Sequence, residues 1–283
     1  MRILIMGANG MLGSDLVKHL GGSYEIVGTG KKDLDITDKK ATIETINSLS
    51  PSIVINSAAY TDVDGCESDR ERAFMVNRNG AGNIAMGCRE INAKLIHIST
   101  DYIFDGKKNK PYVEDDEPCP LNIYGLSKLE GEKEIRKVLP LNGYLIVRTS
   151  WLFGKNGENF VSTILKLSGE KDELKVVNDQ VGSPTYTVDL SEAIERLMNN
   201  NATGIVNVTN SGECSWYNYA VEILRLSGNE RIRVLPIKTE ESRRSAPRPA
   251  YSVLNNGRYR LITGHSIRHW GDAVKEYIKT INN

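Results

Sequence analysis

A chain of 283 residues, 40% hydrophobic and 25% charged, has the make-up of a soluble globular protein large enough for one α/β unit with an appended lobe. Lysine plus arginine and aspartate plus glutamate balance at 36 each, which excludes a global field for nucleic acid or an anionic membrane and leaves any anionic ligand to local groups. A mean hydropathy of −0.36, the lack of an apolar run long enough for a bilayer, and an N-terminus running from Met1-Arg2-Ile3-Leu4-Ile5 straight into glycines predict a cytoplasmic protein without a membrane partner.

Arg2 to Met6 is short, apolar and bounded by Gly7, which predicts a buried parallel strand. Gly7, Gly10 and Gly13 follow, and Ser14 to Leu20 then carries a helical pattern that ends at Gly21-Gly22. A glycine motif alone is weak evidence. Between a first strand and a helix start it points to a dinucleotide, because glycines permit close backbone approach and a helix N-terminus stabilises a pyrophosphate. Gly7, Asn9, Gly10, Met11, Leu12 and Gly13 are therefore candidate cofactor contacts.

The second strand, Tyr24 to Thr29, should end at the adenosine ribose. An NAD-selective protein usually places an acid there, whereas this chain reads Thr29-Gly30-Lys31-Lys32. Lys31 and Lys32 can pair a 2′-phosphate, so NADPH is the expected cofactor and NADH the alternative; paired lysines are also commonly plain solvated charge. Asp35 and Ile36 can bracket an adenine edge, and Asp38 can cap a helix through Leu49, which Ser50-Pro51 breaks. Ser52 to Asn56 is the third strand. The small residues after it, in Ser57-Ala58-Ala59-Tyr60, let a cofactor lie against the backbone at Ala58, Ala59 and Tyr60, although close helix packing would ask for the same residues.

One helical stretch is expected from Ser68 through Ile91, with Asn77 either buttressing the site or bonding locally. Leu95 to Thr100 is the fourth strand and delivers Thr100 and Asp101 to the same sheet edge. Strands alternating with helices predict right-handed crossovers and a doubly wound parallel sheet. Asp105 to Leu121 is irregular, charged and proline-bearing, which predicts a mobile loop over the cleft.

The next helix carries Tyr124 and Lys128. Residues four apart share a helical face, so both can point into one cleft. A phenol titrates near a pKa of about 10, and a close ammonium favours phenolate, making a tunable proton shuttle. In a chain with 12 tyrosines such a pair also arises by chance, so its weight depends on its surroundings. Tyr144 to Thr149 is another strand, opening on Ser150-Trp151. Beyond it come a polar loop from Asn178 to Thr187, a helix from Val188 to Met198, a strand from Ile205 to Val208, a helix opening at Ser215-Trp216-Tyr217 and a basic, proline-broken loop from Arg243 to Pro249. The expected division is a dinucleotide-binding domain over 1–149, with 187–210 returning to it, and a substrate lobe made of 150–186 and 211–283. Cysteines 66, 88, 119 and 214 and histidines 19, 97, 265 and 269 are dispersed, so no disulfide framework or metal site is expected.

The ordered set of Gly-x-x-Gly-x-x-Gly, strand-end Thr100, and Tyr124 with Lys128 resembles the extended branch of the short-chain dehydrogenase/reductase superfamily. Further stretches resemble the dTDP-4-dehydrorhamnose reductase family over essentially the whole chain. They are Asp33-Leu34-Asp35-Ile36-Thr37-Asp38, Ser99-Thr100-Asp101-Tyr102-Ile103-Phe104-Asp105-Gly106, Arg148-Thr149-Ser150-Trp151, Asp179-Gln180-Val181-Gly182-Ser183-Pro184-Thr185 and Arg248-Pro249-Ala250.

The resemblance implies an α/β, Rossmann-type doubly wound parallel sheet with a smaller, interleaved C-terminal substrate lobe. It also implies NADPH-dependent reduction of the 4-keto group of dTDP-4-dehydro-6-deoxy-L-mannose to dTDP-L-rhamnose. Tyr124 would protonate the carbonyl oxygen, Thr100 would hydrogen-bond it, and Lys128 would hold the cofactor ribose and lower the Tyr124 pKa. Asp101, Tyr102, Trp151 and Gln180 are the expected sugar contacts, with a core tryptophan the competing role for Trp151. Arg248, with Arg243 or Arg244, would meet the diphosphate. Some members of the family are associated with magnesium at a subunit interface, but no ligand cluster here names its residues; a homodimer stays open. Thr100-Asp101-Tyr102 lacks the glutamate that related dehydratases place after their threonine, which disfavours dehydration. Two alternatives stand: an epimerase, and a binding protein similar to the regulatory subunit of methionine adenosyltransferase. Retention of Thr100, Tyr124 and Lys128 together favours an enzyme.

Overall fold

In the computed structural model, which describes residues 1–282, the chain opens with β1 (Arg2–Met6). Ile3, Leu4, Ile5 and Met6 are all fully buried, as a strand covered on both faces requires. There follow α1 (Met11–Leu20), β2 (Glu25–Thr29), α2 (Lys39–Leu49), β3 (Ile53–Asn56), α3 (Val63–Ser68), α4 (Arg70–Phe74), α5 (Ala81–Glu90), β4 (Lys94–Thr100), α6 (Ile123–Val138) and β5 (Tyr144–Thr149). The later elements are β6 (Leu152–Phe153), α7 (Phe160–Glu170), β7 (Glu173–Val177), β8 (Val181–Gly182), β9 (Thr185–Tyr186), α8 (Thr187–Asn199) and β10 (Gly204–Asn207). The chain ends through β11 (Cys214–Ser215), α9 (Trp216–Leu226), β12 (Arg233–Ile237), α10 (Gly257–Thr263) and α11 (Trp270–Asn282).

Six strands form one parallel sheet in the order β10-β5-β4-β3-β1-β2. Strand order reverses between β1 and β3, and a crevice opens beyond the carboxyl ends of the strands at such a switch point. One face of the sheet packs on α1 and α8 through Leu12, Leu16, Leu20, Leu190, Ile194 and Leu197. Burying a side chain such as Leu16 or Leu20 completely stabilises the fold by about 1.5–3 kcal/mol each. The other face packs on α2, α5 and α6 through Ile46, Ile84, Cys88 and Ile135. A separate core joins Phe153, Ile164, Tyr219, Ile223, Val274 and Tyr277 under α7, α9 and α11. β10 pairs with β5, and α10 packs against α8 and β10 with Tyr259 in the sheet-side core. Among the described residues no helix is long and apolar enough to cross a membrane.

The single helix expected from Ser68 to Ile91 is instead broken. Asp69 leaves helical geometry at φ −123° and caps α4, and Met75 to Gly80 form a wide π turn before α5. The wide turn carries Asn77 inward. Its Oδ1 accepts from the Tyr60 N–H (2.8 Å), and its Nδ2 donates to the Tyr60 carbonyl (3.0 Å) and to Ser127 Oγ (2.9 Å). These bonds tie α6 to the loop after β3, a long-range gain that local periodicity does not encode.

The loop expected to be mobile between Asp105 and Leu121 is anchored at two points. Tyr112 bridges to Leu254, and the carboxylate of buried Glu114 accepts from the Asn207 N–H at 2.9 Å. Asn122 then caps α6 by accepting from the Gly125 N–H (2.8 Å), and its Nδ2 donates to the Pro247 carbonyl (2.8 Å), which couples this helix start to the basic loop.

Candidate active site

Beyond β1, β2 and β3 lies a cleft of about 310 Å³. Gly7, Asn9 and Gly10 line it from the first turn, Ala58, Ala59 and Tyr60 from the end of β3, and Lys31, Asp35 and Ile36 from the loop after β2. Gly7 has φ +80°, and a Cβ there would lie 2.7 Å from the Ala58 nitrogen; a Cβ on Gly13 would lie 2.0 Å from the Gly7 oxygen. Only glycine lets the turn, β3 and α1 approach this closely. α1 starts after Gly10 without a side-chain cap, which leaves the first-turn N–H groups of Met11, Leu12 and Gly13 open to an anion. The Leu12 side chain is in the core and that of Met11 lies beside Gly154, so the groups these two residues offer the turn are their backbone N–H groups.

Of the two lysines expected at a 2′-phosphate, Lys31 lines the cleft and Lys32 does not. The cation that joins Lys31 is Arg72, which is not among the residues expected from the sequence. Its guanidinium sits 4.5 Å from the centre of the Tyr60 ring, and both line the cleft. Arg72 gets there because the chain breaks at Asp69, and no local motif announces that break. Asp35 accepts from the N–H and hydroxyl of Thr37 (2.9 and 2.8 Å), bonds that hold its carboxyl below the ordinary carboxylate range. A glycine turn, a bare helix N-terminus and two cations fit a phosphorylated dinucleotide.

At the end of β4, Thr100 Oγ1 donates to Asp101 Oδ1 (3.1 Å) and accepts from the Tyr102 N–H (3.2 Å). Tyr124, on the first turn of α6, is partly buried and meets the Tyr102 ring edge-on, with centroids 6.0 Å apart. Burial pushes the Tyr124 phenol well above its ordinary pKa, a polar contact with Thr100 draws it partly back, and the Asp101 charge pushes it further up.

The expected lowering of this phenol by Lys128 is not what the geometry provides. Lys128 is 2% exposed, and its Nζ donates to the Ile98 carbonyl at 2.5 Å and stands 3.4 Å from His97 Nε2. Burial brings its pKa down to about 8 against the opposing pull of Glu132. Tyr124 is therefore held as the neutral phenol, the form a proton donor needs.

One turn after Lys128, Glu132 is clamped by Arg148 of β5 (Nη2 to Oε2 2.8 Å, Nε to Oε1 3.1 Å) and accepts from Ser99 Oγ at 2.5 Å. Both charged side chains are almost fully buried, so breaking the pair by removing one partner would cost about 3–5 kcal/mol. The clamp sets the register of α6 against β4 and β5, and with it the approach of Tyr124 to Thr100. Asp101, 2% exposed, has its pKa pushed up to about 7 by burial, against the polar neighbours Ser252 and Thr100; Thr100 Oγ1 donates to its Oδ1, and its Oδ2 has no partner.

A second cavity, of about 640 Å³, is bordered by Tyr102, Gln180, Trp216 and Arg248. Gln180 is oriented by a bond from its Nε2 to Thr239 Oγ1 at 3.0 Å. Trp151, expected as a sugar contact, lies behind Trp216 with ring centroids 3.5 Å apart, and it is Trp216 that lines the cavity. In sequence Trp216 is merely the first residue of a helix. Arg248 borders the cavity, but its fork does not stand open for a diphosphate. Nη1 and Nη2 grip Asp64 Oδ1 and Oδ2 at 2.8 and 2.7 Å, and Arg248 holds the Asp64 carboxyl well below the usual range. Arg244 reaches the same carboxylate at 3.2 Å and also borders the cavity, as do Lys171 and Lys175; Arg243 does not. Among the described residues no group of three or more His, Cys, Asp or Glu could hold a metal ion.

A family model described as the RmlD substrate binding domain matches residues 1–283. The chain belongs to the RmlD family. It is 45% identical over 281 residues to the spore coat polysaccharide biosynthesis protein SpsK of Bacillus subtilis, covering 98% of this chain and 97% of that protein. A dTDP-4-dehydrorhamnose reductase of Clostridium acetobutylicum superposes with a TM-score of 0.96 at 44% identity, with 100% of both chains covered. A dTDP-4-dehydrorhamnose reductase of Bacillus anthracis, solved in complex with NADP, superposes at 0.95 with 40% identity, covering 100% of this chain and 99% of that one. The RmlD fold thus accounts for the whole chain, including the elements that carry Trp216 and Arg248.

Proposed function

We propose that this chain reduces the 4-keto group of dTDP-4-dehydro-6-deoxy-L-mannose with NADPH, yielding dTDP-L-rhamnose. The observation that carries the reading is the meeting of Thr100, Asp101 and Tyr124 at one strand end, with Tyr102 beside them on the wall of the larger cavity. The names of the Clostridium and Bacillus anthracis relatives and the NADP in the second support it.

NADPH, when bound, supplies hydride to the carbonyl carbon. The turn at Gly7 and Gly10 and the first N–H groups of α1 would hold its pyrophosphate, and Lys31 and Arg72 would meet the 2′-phosphate. Negative charge then grows on the carbonyl oxygen, and the Tyr124 phenol delivers its proton there. Thr100 fixes the direction of that transfer through its own hydroxyl. Asp101 and Gln180 orient the sugar, Trp216 offers it a ring face, and Arg244, Lys171 and Lys175 balance the diphosphate.

A panel of 4-keto sugar nucleotides differing in base and sugar, assayed with NADPH and NADH, tests the reading. NADPH should be consumed with the dTDP-linked 4-keto-6-deoxy sugar and not without it. A folded protein that turns over no member of the panel overturns it.

A further inference from the structure

We propose that His97, locked by Asn56 as the Nε2–H tautomer, sets the position and proton affinity of Lys128 and is thus a positioning residue for the reduction. The inference rests on the reduction proposed above, with Lys128 in the place beside the cofactor ribose that the family resemblance implies for it.

His97 sits in the middle of β4, 1% exposed, between Ile96 and Ile98, where a buried parallel strand ordinarily carries only apolar side chains. Its sheet neighbour is Asn56 of β3, also 1% exposed. Asn56 Oδ1 accepts from the Ala58 N–H at 3.1 Å, which fixes the amide so that Nδ2 faces His97 Nδ1 at 3.0 Å. An amide nitrogen can only donate. Nδ1 must therefore accept, and the proton of the neutral ring lies on Nε2. Burial above all keeps the imidazole from taking a second proton, and an ammonium at Lys128 would oppose that proton further.

Nε2–H points at Lys128 Nζ, 3.4 Å away. An ammonium has three donors and no acceptor, so it would face this N–H across a dry contact and leave it unpaired. A neutral amine accepts from Nε2–H and still donates to the Ile98 carbonyl. The series Asn56, His97, Lys128, Ile98 is fully satisfied only when Lys128 is neutral. Of the other charged groups around α6, Glu132 favours the ammonium but shares its charge with Arg148, whereas Asp101 of the turn after β4 and Cys66 of α3 act on Tyr124. Burial lowers the proton affinity of this amine, so it is neutral for a larger share of the time than an exposed lysine.

Nuclear magnetic resonance of the whole protein carrying ring-nitrogen-labelled histidine tests this, with the His97 signal assigned by its loss in His97→Gln. The expected result is a protonated Nε2 and a bare Nδ1, unchanged as pH passes the ordinary histidine pKa of about 6.5. A protonated Nδ1, or an imidazolium, overturns the proposal. Asn56→Asp supplies a second readout. Its carboxylate would accept from Nδ1–H, turn Nε2 into an acceptor and raise the Lys128 pKa seen in the pH profile of kcat/KM by about one unit, tenfold in proton affinity. A folded Asn56→Asp enzyme with the original profile refutes the link, and if that variant does not fold, the tautomer measurement decides alone. Failure of the catalytic reading looks different: the folded wild-type protein would then turn over no member of the sugar-nucleotide panel, whatever the His97 tautomer.

Discussion

The indole of Trp216 lies flat against that of Trp151, with ring centroids 3.5 Å apart and planes 8° from parallel. Trp216 forms cavity wall, and Trp151, held at φ +48° with its Nε1 buried, backs it. Trp216→Ala should raise KM for the sugar nucleotide by about tenfold with kcat largely kept, since a stacked aromatic wall contributes about 0.5–1.5 kcal/mol beyond its area. Trp151→Ala should act through stability, by about 3–5 kcal/mol. Steady-state kinetics and urea unfolding of both variants separate the roles; an unchanged KM in Trp216→Ala would show that the sugar does not use this wall.

Tyr124→Phe keeps the ring that packs on Tyr102 and removes the proton. A kcat loss of about 10²–10⁴-fold is expected, with little change in NADPH affinity measured by fluorescence titration. Because burial holds the phenol above its ordinary pKa, the wild-type acid should stay protonated throughout the neutral range. Near-normal turnover by Tyr124→Phe would remove it from the mechanism.

Lys31 and Arg72 border the cofactor cleft and Lys32 does not. Lys31→Ala and Arg72→Ala should each weaken NADPH by about tenfold, the worth of one charged hydrogen bond, while NADH binding changes little. Lys32→Ala is the control and should leave both unchanged. Equal weakening of the two cofactors by Lys31→Ala would reject a 2′-phosphate contact.

Asp101 makes stability depend on pH in the direction opposite to a paired carboxylate. Its folded pKa of about 7 lies above the ordinary 3.8, so the folded state holds a proton that the unfolded chain has released. Its contribution is fully favourable below the unfolded value and is lost as pH rises toward the folded one. Asp101→Asn imitates the neutral acid. Relative to wild type it should gain stability steadily between pH 4 and pH 7 in urea titrations, and a constant difference across that window would contradict a neutral buried Asp101.

The clearest sequence signals were short-range ones. An apolar strand, three glycines and a helix start lie within the first 20 residues, and the physics that joins them, close packing and an open helix N-terminus, acts between sequence neighbours. The spacing of Tyr124 and Lys128 likewise put them on one helix, but spacing says nothing of what the ammonium faces. The fold turns it under β4 toward His97 and Ile98, and the phenol is left to its own burial.

By itself the sequence determined the alternating strands and helices, the dinucleotide turn, the strand-end Thr100 and the helix that presents Tyr124. Each follows from local pattern and steric rules. Only the tertiary structure decided that Trp216 and not Trp151 faces the larger cavity, that Arg72 and not Lys32 joins Lys31, that Arg248 is gripped by Asp64, and that Asn56 faces His97. In each of these pairs apart from Lys31 with Lys32, partners separated by 41 to 184 residues meet because strand pairing, a π turn or a folded-back loop brings them together. Such meetings depend on the packing of the whole chain, which no window of neighbouring residues contains.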